Sequence, residues 1–511
     1  MHKQRDNALI RWGIFVGVAA GLFALLWIGW SLVTRHYEGR GDSIRSDTSV
    51  AVGLRGAATS LDLFDEDSDA AEAAGRALIG NVYETLVTCD QSNTLQAGLA
   101  SDWTVSDDGL TYTFTIRSGV EFSNGHTLDS ADVVYSLQRA VNSGASDVDE
   151  LGALSSVEAP DASTVVITLS SPNPTLPRTL SGRLGVVFDE QASIDYADEA
   201  VGSGPFTVGR FREGESITLE RNESYWADAS VPASVTLTYY DDDTSMINAL
   251  QDGTIELAIP STASAADAVA ADPTITVATG ASTSSVVLVF NNSTDAITSD
   301  EQVRKAARHA LDLDAIVESQ PDAAQALGGP LTPLEPGYED LTGLYPYDPA
   351  QTQSMLSYFA YGYLGTVHLV ASHDYQELAD TIVQQLQAGG FDVRLEVLAD
   401  GEVNDRIAAD DYDMVIIETA GGDNARGFSS SQSPYHYEDE AAQQAYAQAM
   451  AATNDTDFQE GMRAYARVLG EDAASGWLYA RQCTVVAKST VSGYPTAMVD
   501  RRLPLASVTT Q

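Results

Sequence analysis

Residues 367–424 read VHLVASHDYQELADTIVQQLQAGGFDVRLEVLADGEVNDRIAADDYDMVIIETAGGDN. Three strand-like segments, 367–370, 393–397 and 413–417, are separated by two stretches of helical character. In the first stretch Leu378, Ile382 and Leu386 recur every four residues, which places them on one helix face, and Gly389-Gly390 ends it. The second, 403–407, is short and amphipathic. Val393, Leu395 and Val397 alternate with Arg394 and Glu396, the two-residue period of a strand. Strand, helix, strand, helix, strand predicts an α/β unit on a mostly parallel sheet. Ligands of such sheets collect beyond the carboxyl ends of the strands, which here are residues 371–374 and 419–424.

Working outward, 286–290 (VVLVF) reads as a short buried strand, and Val303, Ala307, Ala310 and Ile316 mark one face of a following helix. Residues 49–54, 164–169 and 216–221 read as strands. Behind Trp103, Tyr112, Phe114 and Ile116 alternate with threonines, and Asp108-Gly109 marks the turn of a hairpin over 103–116. Asn124-Gly125 is a second turn signal. Asp129, three residues before Asp132 and ahead of Val133-Val134-Tyr135-Ser136-Leu137, predicts a helix start with a side-chain cap and an acidic first turn. No internal repeat is present.

The whole chain has 511 residues, 44% hydrophobic and 20% charged, which excludes disorder as its main state. Its 73 Asp+Glu against 27 Lys+Arg give a net charge of −46, which repels phosphate backbones and argues against nucleic acid as a partner. The seven histidines are scattered and no Cys/His cluster has metal-ligand spacing, so neither metal nor cofactor is expected. No G-x-S-x-G, H-E-x-x-H, P-loop or G-x-G-x-x-G is present, and no catalytic residue is assigned. Residues 12–33 are 22 residues without a formal charge, about 33 Å as a helix, enough to span a bilayer core of roughly 30 Å. Lys3, Arg5 and Arg11 precede them, which predicts a signal anchor with a cytoplasmic N-terminus and an extracytoplasmic main domain. The rival reading is a cleaved signal peptide, but Ser31-Leu32-Val33-Thr34 offers no small-x-small cleavage site, and no cysteine follows for a lipid. Outside the cytoplasm Cys89 and Cys483 could form a disulfide; the alternative is two separate thiols.

Several stretches resemble the oligopeptide/dipeptide-type solute-binding proteins of ABC importers, family 5. Ser60-Leu61-Asp62 is similar to that family's S-L-D-P loop, with Leu63 for the proline, and Tyr83-Glu84-Thr85-Leu86 to its Y-E-x-L helix end. Residues 99–114 (LASDWTVSDDGLTYTF) resemble its LAxxWxxSxDGxxYTF signature, continued by 117–125. Gly202-Ser203-Gly204-Pro205-Phe206 resembles GTGPY, and 222–226 resembles NPxYW. Phe290-Asn291-Asn292 and Val303-Arg304-Lys305-Ala306 resemble FNT and VRQAL. The matches run in family order over 49–500.

The resemblance implies a two-lobed periplasmic-binding-protein type II-like fold with mixed sheets and hinge-linked lobes. Its expected boundaries are 1–35 cytoplasmic stub and anchor, 36–47 tether, 48–285 lobe I with an insert at about 76–200, 286–476 lobe II, and 477–511 the return to lobe I. It implies capture of a short peptide or other small solute for an ABC permease, without enzymatic turnover. A non-transport solute receptor or assembly partner with the same fold, and a surface-anchored hydrolase, are the alternatives. Asp423, with Gly422 and Asn424, matches the W-x-G-D-N segment that faces a ligand ammonium, although Ala420 replaces the tryptophan and Arg426-Gly427 the following D-P. A plain loop aspartate is the other reading of Asp423. Ala57 and Thr59 precede Ser-Leu-Asp, where an extended ligand pairs with backbone. His373 stands in the loop where dipeptide binders carry an arginine, and Asp374 reads as a helix N-cap.

Overall fold

The computed structural model describes residues 48–510 apart from 146, 360–363, 420–421, 431–432 and 500–501; the Asp400 and Asp423 side chains also lie outside it. The anchor expected at 12–33 and the tether at 36–47 lie outside the described residues, among which no helix is long and apolar enough to cross a membrane.

Two long strands organise the chain. Ile275–Phe290 and Gly476–Lys488 pair antiparallel along most of their length. Ala281 faces Gln482 and Ser285 faces Ala480, so residues 282–284 oppose Arg481 alone and the ladder breaks there. On one side of the break Val485 and Ala487 pack with Val52, Leu54, Leu237 and Leu257. On the other, Val286, Leu288, Phe290 and Leu478 pack with Val303, Ile316, Leu369 and Ile382. Separate cores on one pair of strands make two lobes. The expected short strand at 286–290 is therefore the end of a strand of 16 residues that is buried from Thr283 onward; its first part, ITVATGAS, is partly exposed and lacks clean alternation.

In the second lobe the parallel unit is present as read. Thr366–Ser372 pairs parallel with Asp392–Leu398 and with Met414–Thr419. Between them Gln376–Ala388 buries Leu378, Ile382 and Leu386, each stabilising the fold by about 1.5–3 kcal/mol relative to exposure. The helix face expected from Val303 to Ile316 belongs to two helices, Glu301–Ala310 and Leu313–Ser319, because Asp312 caps a new start by accepting from the Ala315 N–H.

In the first lobe Ser49–Leu54 lies parallel to Ser234–Tyr239 and Leu257–Ile259, and the hairpin of Phe206–Arg212 and Ser216–Arg221 completes that side. An inserted four-stranded antiparallel sheet, ordered Ala100–Val105, Thr111–Ile116, Thr164–Leu169, Leu154–Asp161, has its own core around Phe114, Val165 and Leu137. Its helix Ser130–Ser143 starts at the expected cap: Asp129 accepts from the Ala131 N–H, and Asp132 accepts from the Asp129 N–H, both at 2.8 Å.

Candidate functional site

Thr366–Ser372 lies between Asp392–Leu398 on one side and Met414–Thr419 on the other. The chain leaves its carboxyl end for the first neighbour and then crosses to the second. The crevice where connections diverge thus opens between the carboxyl ends of Thr366–Ser372 and Met414–Thr419, the place where open α/β sheets bind ligands. A charged cluster occupies this end. Glu418 accepts from Arg481 Nη1 at 2.5 Å and from the Tyr375 hydroxyl at 3.2 Å. Asp322 accepts from Arg481 Nε at 2.7 Å and from the Tyr479 hydroxyl at 3.2 Å. Arg481 Nη2 reaches the Ser261 carbonyl of the other lobe at 3.4 Å.

Arg481 is the residue opposite the ladder break, and its carbonyl accepts from Ser282 Oγ at 2.8 Å. Burial alone would lower its guanidinium, but Glu418, then Tyr375 and Asp322, outweigh that and hold it above its ordinary value. The Tyr375 and Tyr479 hydroxyls are pushed up, first by burial and next by Glu418 and Asp322 respectively. Two carboxylates share one guanidinium, so the cluster carries one net negative charge. That excess of negative charge favours an approaching cation over a carboxylate.

The residues singled out from sequence divide between the lobes. Ala57 and Thr59 are exposed in the loop after Ser49–Leu54, while Ala58 between them is buried and its carbonyl accepts from the Gly214 N–H. His373 is exposed in the single turn His373–Tyr375 at the carboxyl end of Thr366–Ser372. Asp374 does not cap the next helix: this turn intervenes, and the cap position falls on Tyr375 with no side-chain bond. Gly422 is exposed, whereas Asn424 is buried and its amide donates to the Pro330 carbonyl at 2.9 Å. Asp423 opens the short helix Asp423–Arg426, and its side chain lies outside the described residues. Sequence reading missed Tyr375, Glu418 and Arg481. The first two stand one residue beyond or before the segments marked at 371–374 and 419–424; Arg481 gave no signal, because it comes from a distant strand.

The chain matches the profile of the bacterial extracellular solute-binding proteins, family 5 Middle, over residues 94–443. It belongs to that family. Heme-binding protein A of Haemophilus influenzae is 29% identical over 55% of this chain and 56% of its own length, a little over half. The glutathione-binding protein GsiB of Salmonella paratyphi A is 26% identical over 70% of each chain. Among solved structures, the ABC transporter substrate-binding protein CtaP of Listeria monocytogenes superposes with a TM-score of 0.80 at 19% identity, covering 91% of this chain and all (100%) of that one.

In this family 5 solute-binding protein, three of the matched motifs meet away from the crevice. Glu84 accepts from Trp226 Nε1 and Ser203 Oγ, both at 2.8 Å, and from the Tyr225 hydroxyl at 2.9 Å. Burial raises its carboxyl, against the pull of these bonds and of Arg117. Gly202 is required beside it, since a Cβ there would sit 2.0 Å from the Val82 carbonyl oxygen. These contacts tie the three motifs to one another. The possible Cys89–Cys483 disulfide is not formed: both are free thiols. Cys89 lies against Ser181 Oγ at 3.2 Å, while Cys483 donates to the Thr496 carbonyl at 2.8 Å, so each sulfur has its own neighbours. Among the described residues no group of three or more His, Cys, Asp or Glu could hold a metal ion.

Proposed function

We propose that this protein captures a solute bearing a cationic amino group, a short peptide in the first instance, and presents it to a membrane permease. The observation that carries this reading is the net-negative Asp322–Glu418–Arg481 cluster at the divergent carboxyl ends, within reach of Ser261 on the opposite lobe. The name of the glutathione-binding relative supports a peptide, and no turnover is expected because the relatives are named as binding proteins. Asp423 is the proposed partner of the α-ammonium, and Gly422, exposed beside it, leaves room for approach. Ala57, Thr59 and His373 complete the proposed walls. The lobes close about the break at 281–285 opposite 480–482, which moves the proposed boundary a few residues from 286 and 477. Residues 12–33 tether the protein to the membrane in this reading.

Calorimetry with a short peptide tests it. Asp423→Asn keeps the shape and removes the charge, and should weaken binding by about 2–5 kcal/mol. N-acetylation of the peptide should weaken wild-type binding comparably. Equal affinity of wild type and variant for the free peptide would refute the role of Asp423, and equal affinity for the acetylated peptide would refute the amine requirement.

A further inference from the structure

A second compartment lies apart from the crevice, between the insert and the second lobe. A cavity of about 630 Å³ is lined by Trp103, Tyr112 and Pro177 from the insert and by Pro333, Pro336 and Tyr338 from the second lobe. That size is within the roughly 300–1,000 Å³ of small-molecule sites, which combine apolar walls with a few polar groups. Both walls are built rather than incidental. Gly337, at φ +86°, lets residues 333–338 lie on the helix Asp455–Glu471; a Cβ there would stand 2.8 Å from the Gln459 carbonyl oxygen and from Met462 Cβ. On the insert side Arg178 Nη1 fixes Asn93 through its carbonyl at 2.8 Å and its side-chain oxygen at 2.6 Å. Asn93 in turn donates to the Leu334 carbonyl at 3.0 Å, closing one rim.

The charges around this cavity differ from the rest of the molecule. In a chain of net charge −46, Arg178 and Arg463 here balance Glu335 and Asp455. Glu335 is buried and accepts from the Thr332 N–H at 2.7 Å, and Asp455 accepts from the Gln459 amide at 2.6 Å. Among the described residues the Arg463 guanidinium has no ion-pair or hydrogen-bond partner. An unpaired guanidinium in a cavity also lined by aromatic rings and prolines, in a protein with acids to spare, is matched by an anion on a flat apolar body: the group pairs with the fork while the apolar body lies against Trp103 and Tyr338.

We propose that this cavity is a second binding site, for an aromatic or similarly flat apolar ligand carrying one anionic group, with Arg463 as the partner of the anion. It is independent of the crevice and of any peptide bound there.

Anilinonaphthalene sulfonate has this chemistry, and phenylnaphthylamine is the same skeleton without the sulfonate, so fluorescence titration of both against the full chain separates charge from shape. Arg463→Gln should weaken the sulfonate about ten-fold, the loss of one charge-assisted contact, while phenylnaphthylamine changes less than about two-fold. Arg463→Lys should recover most of the sulfonate affinity, and Trp103→Ala should weaken both dyes. Arg463 is exposed on its helix, so its variants fold; thermal unfolding checks these and Trp103→Ala, whose ring packs on the insert's core. Unchanged sulfonate affinity in Arg463→Gln, equal weakening of both dyes by it, or no saturable sulfonate binding to the wild type would each overturn the proposal. None of these results bears on peptide capture.

Discussion

Replacing Arg481 by methionine keeps most of the side chain's apolar stem and removes the charge between Asp322 and Glu418. Each ion pair at about 4 Å is worth roughly 4 kcal/mol before desolvation at an effective dielectric of about 20. Desolvation of the guanidinium cancels much of that, so the pair itself adds little net stability. The loss of one partner is the larger matter. It leaves two carboxylates without their counter-ion, and in a fully buried site that costs about 3–5 kcal/mol. The side chains here are 20%, 15% and 24% exposed for Arg481, Asp322 and Glu418, so solvent screens part of the penalty. The expected destabilisation of Arg481→Met is therefore about 2–3 kcal/mol. The control follows from the same physics: adding Asp322→Asn and Glu418→Gln removes the stranded charges and should return stability to within about 1 kcal/mol of wild type. Urea unfolding of the full chain at neutral pH measures all three proteins. A cost below about 0.5 kcal/mol for Arg481→Met, or a triple variant no more stable than the single one, would refute the reasoning.

Asn81→Ala should cost about 2–4 kcal/mol by urea unfolding and expose the C-terminal return to proteolysis, since the buried amide donates to Ala77 and Leu503 and accepts from the Leu505 N–H. Glu84 is raised by burial, so the folded state holds its proton more tightly than the unfolded chain. Its contribution is present below the ordinary glutamate value of 4.5 and is lost as pH rises through the raised folded value; stability-versus-pH curves of Glu84→Gln should be flatter over that interval. Alkylation of the unreduced, unfolded protein should add two groups by mass, one each on Cys89 and Cys483, where a disulfide would admit none.

The local periods of the chain determined its local structure. Leu378, Ile382 and Leu386, the alternation at Thr111–Ile116 and the Asp129/Asp132 cap are each specified by residues within one or two turns, and all are present. The order of motifs likewise carried the family, because those residues build the fold itself, as the contacts of Glu84 show. What sequence could not decide depends on pairs far apart in the chain. The 16-residue strand Ile275–Phe290 is legible only in its buried final part; the rest is held by cross-strand bonds to Gly476–Lys488 rather than by its own pattern. The free thiols of Cys89 and Cys483 follow from where two remote strands place them. Arg481 meets Glu418 from 63 residues away and Asp322 from 159, and Arg463 lines one cavity with residues of the insert. A charge announces its type in the sequence, but its partner is chosen by packing, and it was packing that determined which carboxylates, which guanidinium and which open cavity came together.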